Sequence, residues 1–104
     1  MPEVDIEITR GYLRVVSIPA TIATVPIVAG RARLVGWSFR ETTGAAGASF
    51  DFTSGGNLIA SGAMASGLDD THFLGSIGVP ASSDIKLVMV TGSIQGAVYV
   101  IIDD

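Results

Sequence analysis

The chain has 104 residues, 48% of them hydrophobic and only 15% charged, with a formal net charge of −4 and no cysteine. That length suits one domain around one core; the missing cysteines exclude disulfides, zinc–thiolate sites and thiol nucleophiles, and no basic stripe interleaved with aromatics is present to bind nucleic acid directly. An ordinary domain carries about 25% charged residues, so much of this surface must be neutral or apolar, and extended surface of that kind meets a partner.

The first stretch, MPEVDIEITR, is acidic, unlike the basic start of a signal peptide. The uncharged run from Val15 to Gly30 is interrupted by Pro19 and Pro26 and is shorter than the roughly 20 apolar residues a bilayer span takes. The expectation is a soluble, non-secreted chain without membrane contact. VDIEITR alternates Val4, Ile6 and Ile8 against Asp5, Glu7 and Thr9, the pattern of a half-solvated strand. YLRVVSI follows Gly11. TIATVPIVA is rich in β-branched residues, and Pro26 confines it to a sheet edge or a bulge, because proline cannot donate to a ladder. Its missing charge predicts cover on both sides. Val16, Ile18, Ile22, Val25 and Ile27 are therefore the candidate assembly contacts, and residues 1–30 read as N-terminal strands or an arm beside a core spanning 31–104.

In RARLVGWSFRET, Val35, Trp37 and Phe39 share one face, while Leu34, Gly36, Ser38 and Arg40 share the other. TGAAG turns the chain, and ASFDF returns with Phe50 and Phe52 opposite Asp51. SGGN, residues 54–57, is a hairpin signal, since glycine and asparagine tolerate positive φ. LIASGAMA is an uncharged strand. GLDD turns into THFLGSIGV, where Phe73, Ile77 and Val79 share a parity. PASSD leads to IKLVMV, TGS makes another hairpin, and IQGAVYVII closes the chain. Period-2 alternation without a helical stretch gives about eight short antiparallel strands, the pattern of an all-β sandwich or barrel.

Few residues offer chemistry. The lone histidine, His72, sits near Asp69 and Asp70, which suggests either a carboxylate–imidazole pair or simply a loop opening a strand. Metal sites bring further ligands at set spacing, and none accompanies it. No nucleophile elbow, H-E-x-x-H, P-loop or dinucleotide fingerprint is present, and Asp103-Asp104 lacks a calcium-loop context. The expectation is no enzyme, no cofactor and no metal. Trp37, Arg40 and Tyr99 form an alternative ligand platform, suited to stacking on sugars, although the parity of Trp37 with Val35 and Phe39 favours a core position. Gly36, Gly75, Gly78 and Gly96 inside apparent strands predict strong curvature or close backbone approach.

Charge is uneven along the chain. Residues 1–50 hold five arginines against four carboxylates, whereas 51–104 hold one lysine against six aspartates. Such asymmetry helps copies or partners meet in a fixed orientation.

The run LVGWSFRETTGAAGASFDF, with GGNLIASGAMASG, DTHFLGSIGV and KLVMVTGSIQGAVYV after it, resembles the small β proteins that decorate the heads of tailed bacteriophages as minor capsid or cement proteins. The likeness spans about residues 34–100 and rests on the GWSFRE strand before a small-residue turn, the GG-x-L-I hairpin and the closing V-x-G-S-I-x-G-x-V-x-V segment. It implies an antiparallel β-sandwich of jelly-roll-like form, frequently trimeric. Such a protein sits on the capsid surface of the virion, made in the bacterial cytoplasm, and clamps neighbouring major-capsid subunits. No catalytic residues come with the resemblance.

Overall fold

The computed structural model describes residues 3–8, 11–21, 23–44, 47–75 and 78–102. Ten strands run through them: β1 (Glu3–Ile8), β2 (Gly11–Thr21), β3 (Val25–Val28), β4 (Ala32–Glu41), β5 (Ala48–Ser54), β6 (Asn57–Met64), β7 (Asp69–Phe73), β8 (Val79–Ala81), β9 (Ile85–Thr91) and β10 (Ile94–Ile102). They form two antiparallel sheets. Sheet A has the order β1-β2-β10-β4-β7, with β8 also pairing β4; sheet B has the order β3-β9-β5-β6.

The pairing is nested. β5 pairs β6, β4 pairs β7, β3 pairs β9 and β2 pairs β10. A ribbon of nested antiparallel pairs rolled into two sheets is a jelly roll, so the expected sandwich of about eight strands is the architecture, with β1 and β8 added. THFLGSIGV, expected as one strand, supplies parts of two: β7 and β8 pair successive stretches of β4, with Gly75 and Gly78 between them. Ile77 lies outside the described residues.

Only some turns make hairpins. Ser54 faces Asn57 across Gly55 (φ 58°) and Gly56 (φ 84°), the two positive-φ positions a type I′ turn requires. TGAAG and TGS do something else. β4 lies in sheet A and β5 in sheet B, and β9 and β10 are likewise divided, so both turns are arches between sheets rather than hairpins. Pro26 sits in β3, at the edge of sheet B, beside a register irregularity in its pairing with β9. Edge and bulge thus both hold.

The core lies between the sheets. Trp37, Phe39, Phe50 and Phe52 are each no more than 1% exposed, and their rings meet at centroid distances from 4.9 Å (Trp37–Phe52) to 6.3 Å (Phe39–Phe52). Several of these pairs are edge-to-face, the arrangement the ring quadrupole favours. Leu34, Ile85, Leu87, Ile94, Val98 and Val100 complete the centre. The expected parity of β4 breaks once. Tyr99 faces Gly36 and Val100 faces Leu34, so Val35 is an extra residue, and this bulge swings Ala32 and Leu34 onto the same face as Trp37 and Phe39. Val35 is buried but stands outside that core cluster.

Residues 1–30 do not form a unit apart from 31–104. β2 joins sheet A against β10, and β3 joins sheet B against β9. Val16, Ile18, Val25 and Ile27 are all buried in the same core as Trp37. Their missing charge is explained by the chain's own interior, so these four side chains are not free to contact a partner. Ile22 lies outside the described residues.

Candidate functional site

The sandwich has one end where three sheet-crossing loops converge; a single carboxylate holds two of them, and the neighbouring Thr42 holds the third. Glu41, the last residue of β4, points inward and is buried. One of its oxygens accepts from the Thr43 N–H (2.7 Å) and hydroxyl (2.5 Å); the other accepts from the Gly44 N–H (2.7 Å) and, across the gap to the β6–β7 loop, from the Gly67 N–H (3.0 Å). These donors, led by the Thr43 hydroxyl, lower its pKa to about 2 against the opposing effect of burial. The loop before β10 is tied in through Thr42, whose N–H donates to the Ser93 carbonyl (3.0 Å) and whose hydroxyl donates to the Ser93 hydroxyl (2.6 Å). Glu41 is therefore a latch, a role invisible in sequence because Gly67 lies far along the chain.

Beside this end, the outer face of sheet A carries side chains in rows across three strands. Arg40 on β4 faces Gln95 on β10 and Asp69 on β7. Arg40 Nε donates to Asp69 Oδ1 at 2.9 Å, and the pair raises the guanidinium's pKa and lowers the carboxylate's. The next row is Ala97, Ser38 and Thr71, the last two with hydroxyls 3.1 Å apart. Then comes Tyr99, Gly36 and Phe73. Phe73 is 70% exposed. An open cleft of about 420 Å³ is lined by Ile18, Ser38, Phe39, Arg40, Asp69, Gln95 and Gly96.

This geometry divides the expected platform. Trp37 faces Val98 within the core, one residue out of phase with the outward Arg40 and Tyr99, so the three do not form one surface. The core position favoured for Trp37 is the observed one, and the exposed aromatic on the outer face is Phe73. The Trp37 indole N–H is bound at the sandwich rim, donating to Asp70 Oδ2 at 2.8 Å. His72 stacks on the same indole with ring centroids 5.3 Å apart, and its Nδ1 lies 3.6 Å from Asp70 Oδ1. Asp69 is engaged elsewhere by Arg40, so His72 has one carboxylate neighbour rather than two. Among the described residues no three His, Cys, Asp or Glu side chains gather as metal ligands.

The sheet edges form the other surface of interest. Native edges are blunted by charge, proline or cover. β1 carries Glu3, Asp5 and Glu7, β3 carries Pro26, β7 carries Asp69 and Asp70, and β8 carries Pro80. β6 has none of these, and no charged residue occurs from Thr53 to Leu68. It forms the edge of sheet B with Leu58 63% exposed. Set against protein-family models, curated proteins and solved structures, the chain has no significant match in any of the three.

Proposed function

We propose that the chain is a structural virion protein that self-associates and decorates the outside of a phage head, bridging shell subunits without covalent bonds. The observation that carries this reading is the contrast between β6 and the other edges: an edge strand without charge or proline is a template for a neighbouring strand. The resemblance of residues 34–100 to head decoration proteins supplies the context, and the jelly-roll topology agrees with it. No catalytic step is part of the proposal. In a ring of three, the oligomer the resemblance implies, the contact is heterologous, with β6 of one copy against a different surface of the next. Several weak edge contacts on one oligomer add through effective concentration, which suits a cement role.

The test is cosedimentation with phage heads that lack the protein, together with light scattering. The wild-type chain is expected to be oligomeric and to sediment with heads. Leu58→Lys places a charge on an exposed edge position and is expected to abolish both while leaving the fold intact. A monomer that ignores heads overturns the proposal.

A further inference from the structure

A second surface lies away from the β6 edge. It stands independently of the shell reading. We propose that the outer face of sheet A, from Arg40 and Asp69 to Tyr99 and Phe73, is a binding site for a neutral carbohydrate.

The argument begins with register. Tyr99 and Phe73 flank Gly36 on either side, so their backbones stand two strand spacings apart, about 9.5 Å. Gly36 adds no side chain between them. Its place in the sheet has its own cause: a Cβ there would run into the His72 carbonyl oxygen. The result is a row with an aromatic residue on each side of Gly36, Tyr99 half-buried and Phe73 70% exposed with no structural task that burial would give it. The aliphatic face of a pyranose ring stacks on such rings, and the tyrosine offers a hydroxyl as well.

The polar half of the site continues along the same strands. The hydroxyls of Ser38 and Thr71 lie one row beyond the aromatics, and the Arg40–Asp69 pair with Gln95 one row further, at the cleft of about 420 Å³. Guanidinium, carboxylate and carboxamide each present two adjacent polar atoms, which match neighbouring hydroxyls on a sugar. A cleft with an apolar wall and a few convergent polar groups is the usual form of a small-ligand site.

Charge selects the class. Arg40 and Asp69 neutralise each other at 2.9 Å, so the site offers no surplus positive charge to a phosphate, sulfate or carboxylate. The chain's net charge of −4 acts against anions too. A neutral, hydroxyl-rich ligand remains.

The experiment uses the isotope-labelled full chain and follows backbone amides by NMR. Cellobiose, maltose, lactose and chitobiose, with longer oligomers of each, are the neutral probes; sialyllactose and AMP are the anionic ones. At least one neutral probe is expected to shift the amides of Ser38, Arg40, Gln95 and Tyr99 saturably. Phe73→Ala and Tyr99→Ala are each expected to weaken that binding about tenfold, the scale of a lost aromatic contact. Phe73 is exposed enough that its truncation leaves folding untouched. Leu58→Lys is expected to leave sugar binding unchanged, which separates this site from the β6 edge. The proposal is overturned if no neutral probe moves these amides, if only anionic probes do, or if both aromatic truncations bind like wild type.

Discussion

Trp37 and Glu41 sit four residues apart on the same strand, and both face inward, one as apolar filling and one as a charge. Trp37 is 1% exposed, with its N–H satisfied by Asp70. Its emission is expected to be blue-shifted, resistant to iodide quenching and unaffected by added sugars; a red-shifted, iodide-quenched spectrum would show that the core assignment is mistaken. Asp70→Ala leaves the buried indole donor without its acceptor and is expected to lower stability by about 1–3 kcal/mol in urea titration. Glu41 gives a pH prediction. Its folded pKa of about 2 lies below the ordinary 4.5, so its contribution is complete above 4.5 and lost as pH falls toward 2. Asp69, also lowered by Arg40, adds a slope of the same sign. Glu41→Gln is therefore expected to melt several degrees lower than wild type at neutral pH, with the gap closing between pH 4.5 and 2. A constant gap across that window would contradict the latch.

At the scale of elements, strands were legible in the sequence and their partners were not. Pro26 announced an edge, and SGGN announced a hairpin, because each residue's constraint is local. TGAAG and TGS carry the same turn chemistry as a hairpin, yet both arch between sheets. What decides is which distant strand completes the pairing, and a turn does not encode that. The β4 bulge at Val35 was hidden for the same reason: it exists only in register against β10. The row that sets Phe73 and Tyr99 on either side of Gly36 depends on three strands at once, so Phe73 could not be paired with Tyr99 from the sequence, whereas the parity of Trp37 already favoured the core. Gly96 shows how tight that register is. It sits at φ 150°, and a Cβ there would strike the Ser38 carbonyl oxygen. Gly96→Ala is expected to destabilise the fold by about 1–3 kcal/mol, read from the urea midpoint, and an unchanged midpoint would show that β4 and β10 can part at no penalty.

For the whole molecule, Val16, Ile18, Val25 and Ile27 of the uncharged N-terminal segment belong to the interior. Deleting residues 1–30 removes β2 and β3, and with them Val16, Ile18, Val25 and Ile27 from the core. Each large apolar side chain removed from a core costs about 2–5 kcal/mol, in sum comparable with a domain's entire stability of about 5–15 kcal/mol. The truncated chain is expected to be unfolded by circular dichroism and NMR. A folded 31–104 fragment would show that the two sheets stand without these strands. The two surfaces proposed for contact are ones the core does not use: the β6 edge of sheet B and the outer face of sheet A. They lie on different sheets, so one can serve assembly while the other stays open.

The nested ribbon also sets an order of events. β5 and β6 are joined by two residues and can close early, whereas β2 must find β10 across most of the chain. Loop closure grows dearer with separation, and topologies dominated by distant pairings fold in milliseconds to seconds. β10 is not a trimming strand: it lies between β2 and β4 in the middle of sheet A. Until Ile94–Ile102 has left the ribosome, β2 and β4 have nothing to bridge them. The centre of sheet A can therefore form only once β10 has emerged, whereas the four strands of sheet B and the β1–β2 and β4–β7 pairs of sheet A need nothing beyond Thr91.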